Sequence, residues 1–274
     1  VHDFGIDISE FLNVTSPHFY ELPLDHYDSR KEQIVYLQDR LPAMADPAVE
    51  KLCFEYYNGE RDAEFLKPYI ALLNEADQKE FALIVPFRRR AVANFILKRT
   101  DAGWEYTRKP TPPFSQTYAK IAEERFDFRS LPRRFSEIDD KLISDGIFPK
   151  LLKGVAAKVG DIHPEVNSLD ITAHHVMVTT RKVRPTSNSP EGIHQDGYDY
   201  IVSALVVERR KVKGGVSEIF TSDKKTRILS TVLQPGFGIL QPDLNTSLWH
   251  HVTKIDPEED EGFRSSIGFD IALN

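Results

Sequence analysis

From Leu169 to Leu273 the chain breaks into short runs rich in β-branched and aromatic residues, each ended by residues suited to a turn. The candidate strands are Leu169–Thr180, Ile193–Asp196, Tyr200–Val207, Val216–Thr221, Arg227–Leu233, Phe237–Leu240, Leu248–Lys254 and Arg264–Ala272. Between them stand Ser187-Asn188-Ser189-Pro190, Gly214-Gly215, Ser222-Asp223-Lys224, Pro235-Gly236 and Pro242-Asp243, which supply the fixed or positive φ and the side-chain hydrogen bonds that turns use. Many short strands in succession must hide their edges, and closing on themselves does so. The predicted fold is therefore mainly β with α: a double-stranded β-helix, a jelly-roll or cupin-like barrel.

Residues 1–168 have a different texture and read as a helix-rich support for that barrel. Asp46 followed by Pro47 predicts a helix start, and Gly59 its stop. The spacing of Ser136 and Asp139 predicts a capping box opening a helix through Leu142 and Ile143. Phe81 to Pro86 and Val92 to Leu97 read as extended, with Asp101-Ala102-Gly103 turning the second run back through Trp104 and Tyr106. No linker separates the halves, so residues 1–274 are expected to form one catalytic domain, with 1–168 as support and 169–274 as the jelly-roll core.

One short motif in the strand-rich half carries chemistry. Pro190-Glu191-Gly192-Ile193-His194-Gln195-Asp196-Gly197 sets a histidine and a carboxylate two positions apart, and on an extended segment such side chains share a side. His250, within Ser247-Leu248-Trp249-His250-His251-Val252-Thr253, offers an imidazole from a distant strand. Two imidazole nitrogens and one carboxylate oxygen on one face of an octahedral ion leave the other face open, the arrangement of non-haem Fe(II) oxygenases. In Gly262-Phe263-Arg264 a guanidinium follows that can grip a carboxylate at two points, as a 2-oxoglutarate co-substrate requires. The spacing alone is weak, because His26-Tyr27-Asp28 repeats it beside Pro23 without strands following, and is read as a surface turn.

Composition limits the partners. The net charge of −7 argues against nucleic acid, whose binding calls for a basic face. An anionic small molecule has to be drawn in by local arginines instead. No apolar run is long enough to span a bilayer and no signal peptide opens the chain, so no membrane partner is expected. The single cysteine, Cys53, suits a reducing, cytoplasmic setting. It shares a helical stripe with Val49, Leu52 and Tyr56 and is read as core.

The strand-rich half, from about residue 170 to 273, resembles the iron(II)/2-oxoglutarate-dependent dioxygenases. More narrowly it resembles the isoleucine 4-hydroxylase-like group that hydroxylates free L-amino acids. The resemblance rests on Arg184-Pro185, Ser189-Pro190, His194-Gln195-Asp196, Gly214-Gly215, Trp249-His250-His251-Val252-Thr253 and Phe263-Arg264. It implies Fe(II) held by His194, Asp196 and His250, with Arg264 on the distal carboxylate of 2-oxoglutarate. It further implies O2 as oxidant, and hydroxylation of an unactivated C–H bond with release of succinate and CO2. His251, beside the ligand on the same strand, must face the other way.

Substrate contacts are expected from His174 or His175, one of which should face the barrel interior, from Arg181 and Arg184 near the mouth, and from Arg88 or a neighbour in Arg88-Arg89-Arg90. Tyr198 and Tyr200 are candidates for the pocket wall or for core. Two alternatives stand beside the free amino acid: the same chemistry on a protein side chain, and a non-catalytic cupin-like barrel binding a small ligand. A buried arginine for a dicarboxylate speaks against the latter.

Overall fold

The structure, a computed structural model, describes residues 1–114, 131–186 and 192–274. The turn expected at Ser187 to Pro190 lies outside the described residues. Helices α1 (Ile8–Glu21), α2 (Tyr27–Gln38), α3 (Pro47–Asn58), α4 (Lys67–Ile70), α5 (Glu75–Phe81), α6 (Asp140–Ser144) and α7 (Ile147–Ile162) come from the first part of the chain. The strands are β1 (Leu24–Asp25), β2 (Arg88–Thr100), β3 (Gly103–Lys109), β4 (Ser136–Glu137), β5 (Ser168–Arg181), β6 (Tyr200–Arg210) and β7 (Val212–Gly214). They continue with β8 (Ser217–Phe220), β9 (Arg227–Thr231), β10 (Leu240–Pro242), β11 (Trp249–Val252), β12 (Ile255–Pro257) and β13 (Glu261–Leu273).

The larger sheet runs β1-β2-β5-β13-β6-β10, with β3 and β4 also paired to β2; β11-β8-β9 and β12-β7 form the smaller sheets. This is the jelly-roll architecture expected, with one addition: β2, from the N-terminal half, lies beside β5 and lengthens the barrel sheet. The long strands alternate in burial as period two dictates. One face presents Ala91, Ala93, Phe95, Ile171, Ala173, Ile267, Phe269 and Ile271 to a core shared with α1 and α7. Helix α7 answers with Phe148, Leu151, Leu152, Val155 and Val159, and the Phe148 ring meets Phe95 and Phe269 at 5.9 and 6.3 Å. Each such fully buried side chain stabilises the layer by about 1.5–3 kcal/mol. The opposite face carries Arg88, Arg90, His174, Arg264 and Asp270, whose cross-strand pairings put them on one side.

Several local expectations hold. Asp46 caps α3 by accepting from the Ala48 amide at 2.8 Å, and Gly59 ends it with φ 79°. The β2–β3 hairpin turns at Asp101-Ala102, with Thr100 opposite Gly103. Cys53 is buried in α3, and burial pushes its thiol up to about 11.

Others are corrected. Ser136 sits in β4, and Asp139 is the cap of α6, accepting from the Lys141 amide. Phe81 ends α5, whose cap Asn74 accepts from Asp77, so the run to Pro86 is not a strand. His26 to Asp28 begins α2 and is not a turn. The expected strand Ile193–Asp196 reduces to one bridge, His194 against His250, because Gly192 (φ 76°) and Gly197 (φ 94°) bend the chain on either side. No described helix is long and apolar enough to cross a membrane.

Candidate metal and co-substrate site

His194 and His250 are tied through their backbones, each amide donating to the other's carbonyl at 3.0 Å. That pairing brings the rings to 4.2 Å between centroids. Asp196 reaches back to both: its Oδ1 is 3.4 Å from His194 Nε2 and its Oδ2 is 3.3 Å from His250 Nε2. One donor atom from each residue lies within 4.8 Å of the others, and among the described residues no other group of three such side chains converges. His26 and Asp28 belong to no such group; Asp28 instead pairs with Arg88 at 2.9 Å.

The segment is held from outside its own ladder. The Gln195 side chain donates to the carbonyls of Asp243 and Leu248 at 2.7 and 2.8 Å. It thereby fastens the His194–Asp196 segment to the loop that leads into β11. His194 Nδ1 is 2.8 Å from the Gly192 carbonyl, which makes Nδ1 the protonated nitrogen and leaves the Nε2 lone pair toward Asp196.

Burial opposes a charge on Asp196, but the neighbouring His250 and its hydrogen bond outweigh it and hold the carboxyl well below the usual range. Burial likewise pushes His250 down, and the Asp196 carboxylate more than reverses this, lifting it to about 10. The donor set therefore attracts positive charge, and a cation entering it displaces a proton. Nitrogen and carboxylate donors on one side suit a divalent first-row metal. His251 points away, its Nδ1 3.1 Å from Glu218 on β8.

Arg264 is 2% exposed. Its NH1 has a long contact to Ser266 Oγ at 3.4 Å, and Nε and NH2 are buried without a hydrogen-bond partner among the described residues. Burial, reinforced by Arg209, lowers its pKa to about 10. A buried guanidinium without an acid calls for an anion, and its planar fork fits a carboxylate. Gly215 (φ 61°) keeps the space clear, since a Cβ there would lie 2.9 Å from Ile255 Cγ2 and 3.3 Å from Arg264 Cδ. The residues present thus fit both an iron ion and a dicarboxylate.

The remaining candidates separate. His174 faces the interior, with Nε2 2.8 Å from Asp270 and Nδ1 2.9 Å from the Arg90 guanidinium. Because a guanidinium only donates, Nδ1 accepts and Nε2 donates to Asp270. His175 lies on the helix face, stacked on Phe19 at 5.1 Å. Arg88 is bound to Asp28, so Arg90 is the member of its cluster that joins His174. Arg90 is half-buried and stacks over Phe135 at 4.3 Å.

Arg181 and Arg184 each lie in an ion pair. Arg181 alternates with Thr180, so it faces away from the interior, and it pairs with Glu261 at 2.7 Å; Arg184 pairs with Glu32 on α2. Tyr200 hydrogen-bonds His163 at 2.9 Å on the helix side. Tyr198 lies close enough to Asp196, Asp270 and Arg90 that their charges bear on its hydroxyl, while burial raises its pKa. Gln195, Asp270 and Arg209 were not anticipated. Gln195 was visible only as the residue between His194 and Asp196.

Residues 75–270 match the family model described as 2OG-Fe dioxygenase. No curated protein matches the chain. Among solved structures, IDO from Bacillus thuringiensis is 17% identical with a TM-score of 0.56, over 69% of this chain and 79% of that one. A bsmA homolog from Methylobium petroleophilum PM1 is 16% identical with a TM-score of 0.57, over 81% of this chain and 85% of that one. Both likenesses are of fold.

Proposed function

The chain belongs to the 2OG-Fe dioxygenase family, and from that premise we propose that it hydroxylates a C–H bond of a small molecule, a free L-amino acid. His194, Asp196 and His250 hold Fe(II), and Arg264 holds the distal carboxylate of 2-oxoglutarate. Bound there, the iron supplies the activation of O2 that couples decarboxylation of 2-oxoglutarate to oxidation of the substrate. The protein's part is to present two neutral imidazoles and one carboxylate, keep the facing side open, and fix the co-substrate at its far end. Residues 1–168 and 169–274 act as one catalytic unit on this reading, since β2 and β5 are neighbours in one sheet.

The observation that carries the substrate class is the Arg90–His174–Asp270 array. It sets a half-buried cation and a carboxylate on the interior face, joined through one neutral imidazole, and the charges of Asp270, Asp196 and Arg90 all bear on the Tyr198 hydroxyl. An ammonium beside Asp270 and a carboxylate beside Arg90 would satisfy both ends, which is the charge pattern of a free amino acid.

The test is succinate release with Fe(II), 2-oxoglutarate, O2 and each free amino acid in turn. One or a few should stimulate release well above the substrate-free rate, and Arg90→Met should raise KM for that amino acid while leaving KM for 2-oxoglutarate near wild type. Stimulation by peptides but by no free amino acid would refute the substrate class and favour a protein side chain.

A further inference from the structure

Asp243 follows β10 and its side chain is fully buried (0% exposed). Its Oδ2 accepts the Gly197 amide at 2.7 Å, immediately after Asp196. Its own carbonyl accepts from Gln195 at 2.7 Å and from the Thr246 hydroxyl at 2.9 Å, and its amide donates to the Asp199 carbonyl at 3.1 Å. Among the described residues, the other carboxylate oxygen, Oδ1, is buried without a hydrogen bond, and so is His250 Nδ1. These two unsatisfied atoms face each other at 3.7 Å. A buried carboxylate oxygen and a buried ring nitrogen left unpaired are each costly, and the small movement that would close this gap satisfies both.

We propose that Asp243 is the positioning residue of the metal site, accepting the Nδ1 proton of His250 so that the Nε2 lone pair is held toward the cation. The inference rests on His250 being a ligand. It makes the two imidazoles unlike: His194 donates to a neutral carbonyl, whereas His250 donates to a carboxylate, which raises its basicity as a ligand. Because the same carboxylate grips Gly197, one side chain couples the His-x-Asp segment to β11, and the two arms of the site move together.

Asp243→Asn tests this. The amide keeps the size of the side chain and an oxygen for Gly197, but turns an N–H toward His250 and so favours the tautomer with its proton on Nε2. Metal-free wild type, Asp243→Asn and His250→Ala should be titrated with Co(II), following the visible absorption that ligation produces. Asp243→Asn should bind about 10–100-fold more weakly with the melting temperature of the metal-free protein near wild type.

The proton spectrum of Co(II)-loaded wild type gives a reading that needs no variant to fold. The His250 Nδ1–H resonance should exchange slowly with water and should move in Asp243→Asn, while that of His194 stays in place. Wild-type Co(II) affinity in Asp243→Asn, or a His250 Nδ1–H that exchanges freely in wild type, overturns the proposal. Wild-type affinity in His250→Ala would instead overturn the ligand assignment beneath it, so the two failures are distinguishable.

Discussion

Arg264 gives the most exacting test of the co-substrate site. Keeping its charge buried costs energy in the free protein: lowering its pKa to about 10 corresponds to about 3 kcal/mol at about 1.4 kcal/mol per pH unit. On the proposed reading the co-substrate's carboxylate relieves that cost and supplies partners for Nε and NH2, which have none among the described residues. Arg264→Met removes the fork but fills much of the volume. A desolvated charge pair that loses one member forfeits about 2–5 kcal/mol, so affinity for 2-oxoglutarate should fall by roughly thirtyfold to a few thousandfold. Free of an unpaired charge, the variant should melt no lower than wild type without ligand. The two should separate when 2-oxoglutarate is added with Mn(II) under anaerobic conditions, with wild type shifting upward and the variant hardly at all. Succinate formation against 2-oxoglutarate concentration measures the affinity loss directly, and Fe(II) affinity should be unchanged. A variant with wild-type KM for 2-oxoglutarate, or one that destabilises the free protein while leaving the ligand shift intact, would show that Arg264 serves the fold alone.

Two further outcomes can be checked on purified protein. His250→Ala should lose bound iron while His251→Ala keeps it, because His251 is turned toward Glu218; equal iron content in both variants would contradict the assignment. His175 is buried neutral, its pKa pushed down to about 3 by desolvation, with His18 and His174 adding to the effect, whereas the unfolded chain binds that proton near pH 6.5. Its contribution is therefore intact above about pH 6.5 and is eroded as pH falls from there toward 3, by up to about 5 kcal/mol. His175→Phe, which keeps the stack on Phe19, should flatten the dependence of the urea midpoint on pH between 4 and 6.5. Parallel curves for the two proteins would show that other groups dominate.

The sequence makes legible whatever depends on local spacing. His194 and Asp196 are two apart and His250 lies in a run of strand-formers, so their convergence as one donor set was legible, as was the turn at Asp101-Ala102. Alternation along a strand is only half the reason these side chains converge, since two glycines interrupt the ladder and the geometry depends on the His194–His250 bridge and on Gln195. Residues whose roles arise from long-range burial left no local sign. Asp243 reads as a turn residue after Pro242 and is instead a fully buried carboxylate. Among three successive arginines, only the pleat and the place of Asp28 single out Arg90. Arg181 and Arg184 looked like mouth residues by proximity in sequence, but one faces outward and the other meets a helix from the opposite half of the chain.

The position of β13 bears on how the molecule is made. It comes after the other strands in sequence, yet it lies between β5 and β6 and is hydrogen-bonded to both. Until it arrives, β5 and β6 each present an open edge, and neither can satisfy the other. Closure then requires contacts far apart along the chain, which makes folding slow and leaves sticky intermediates. Arg264 rides on that same strand. The anchor proposed for the co-substrate therefore appears only when the sheet is sealed, and on that proposal ligand binding reports completed assembly rather than merely a folded helical half.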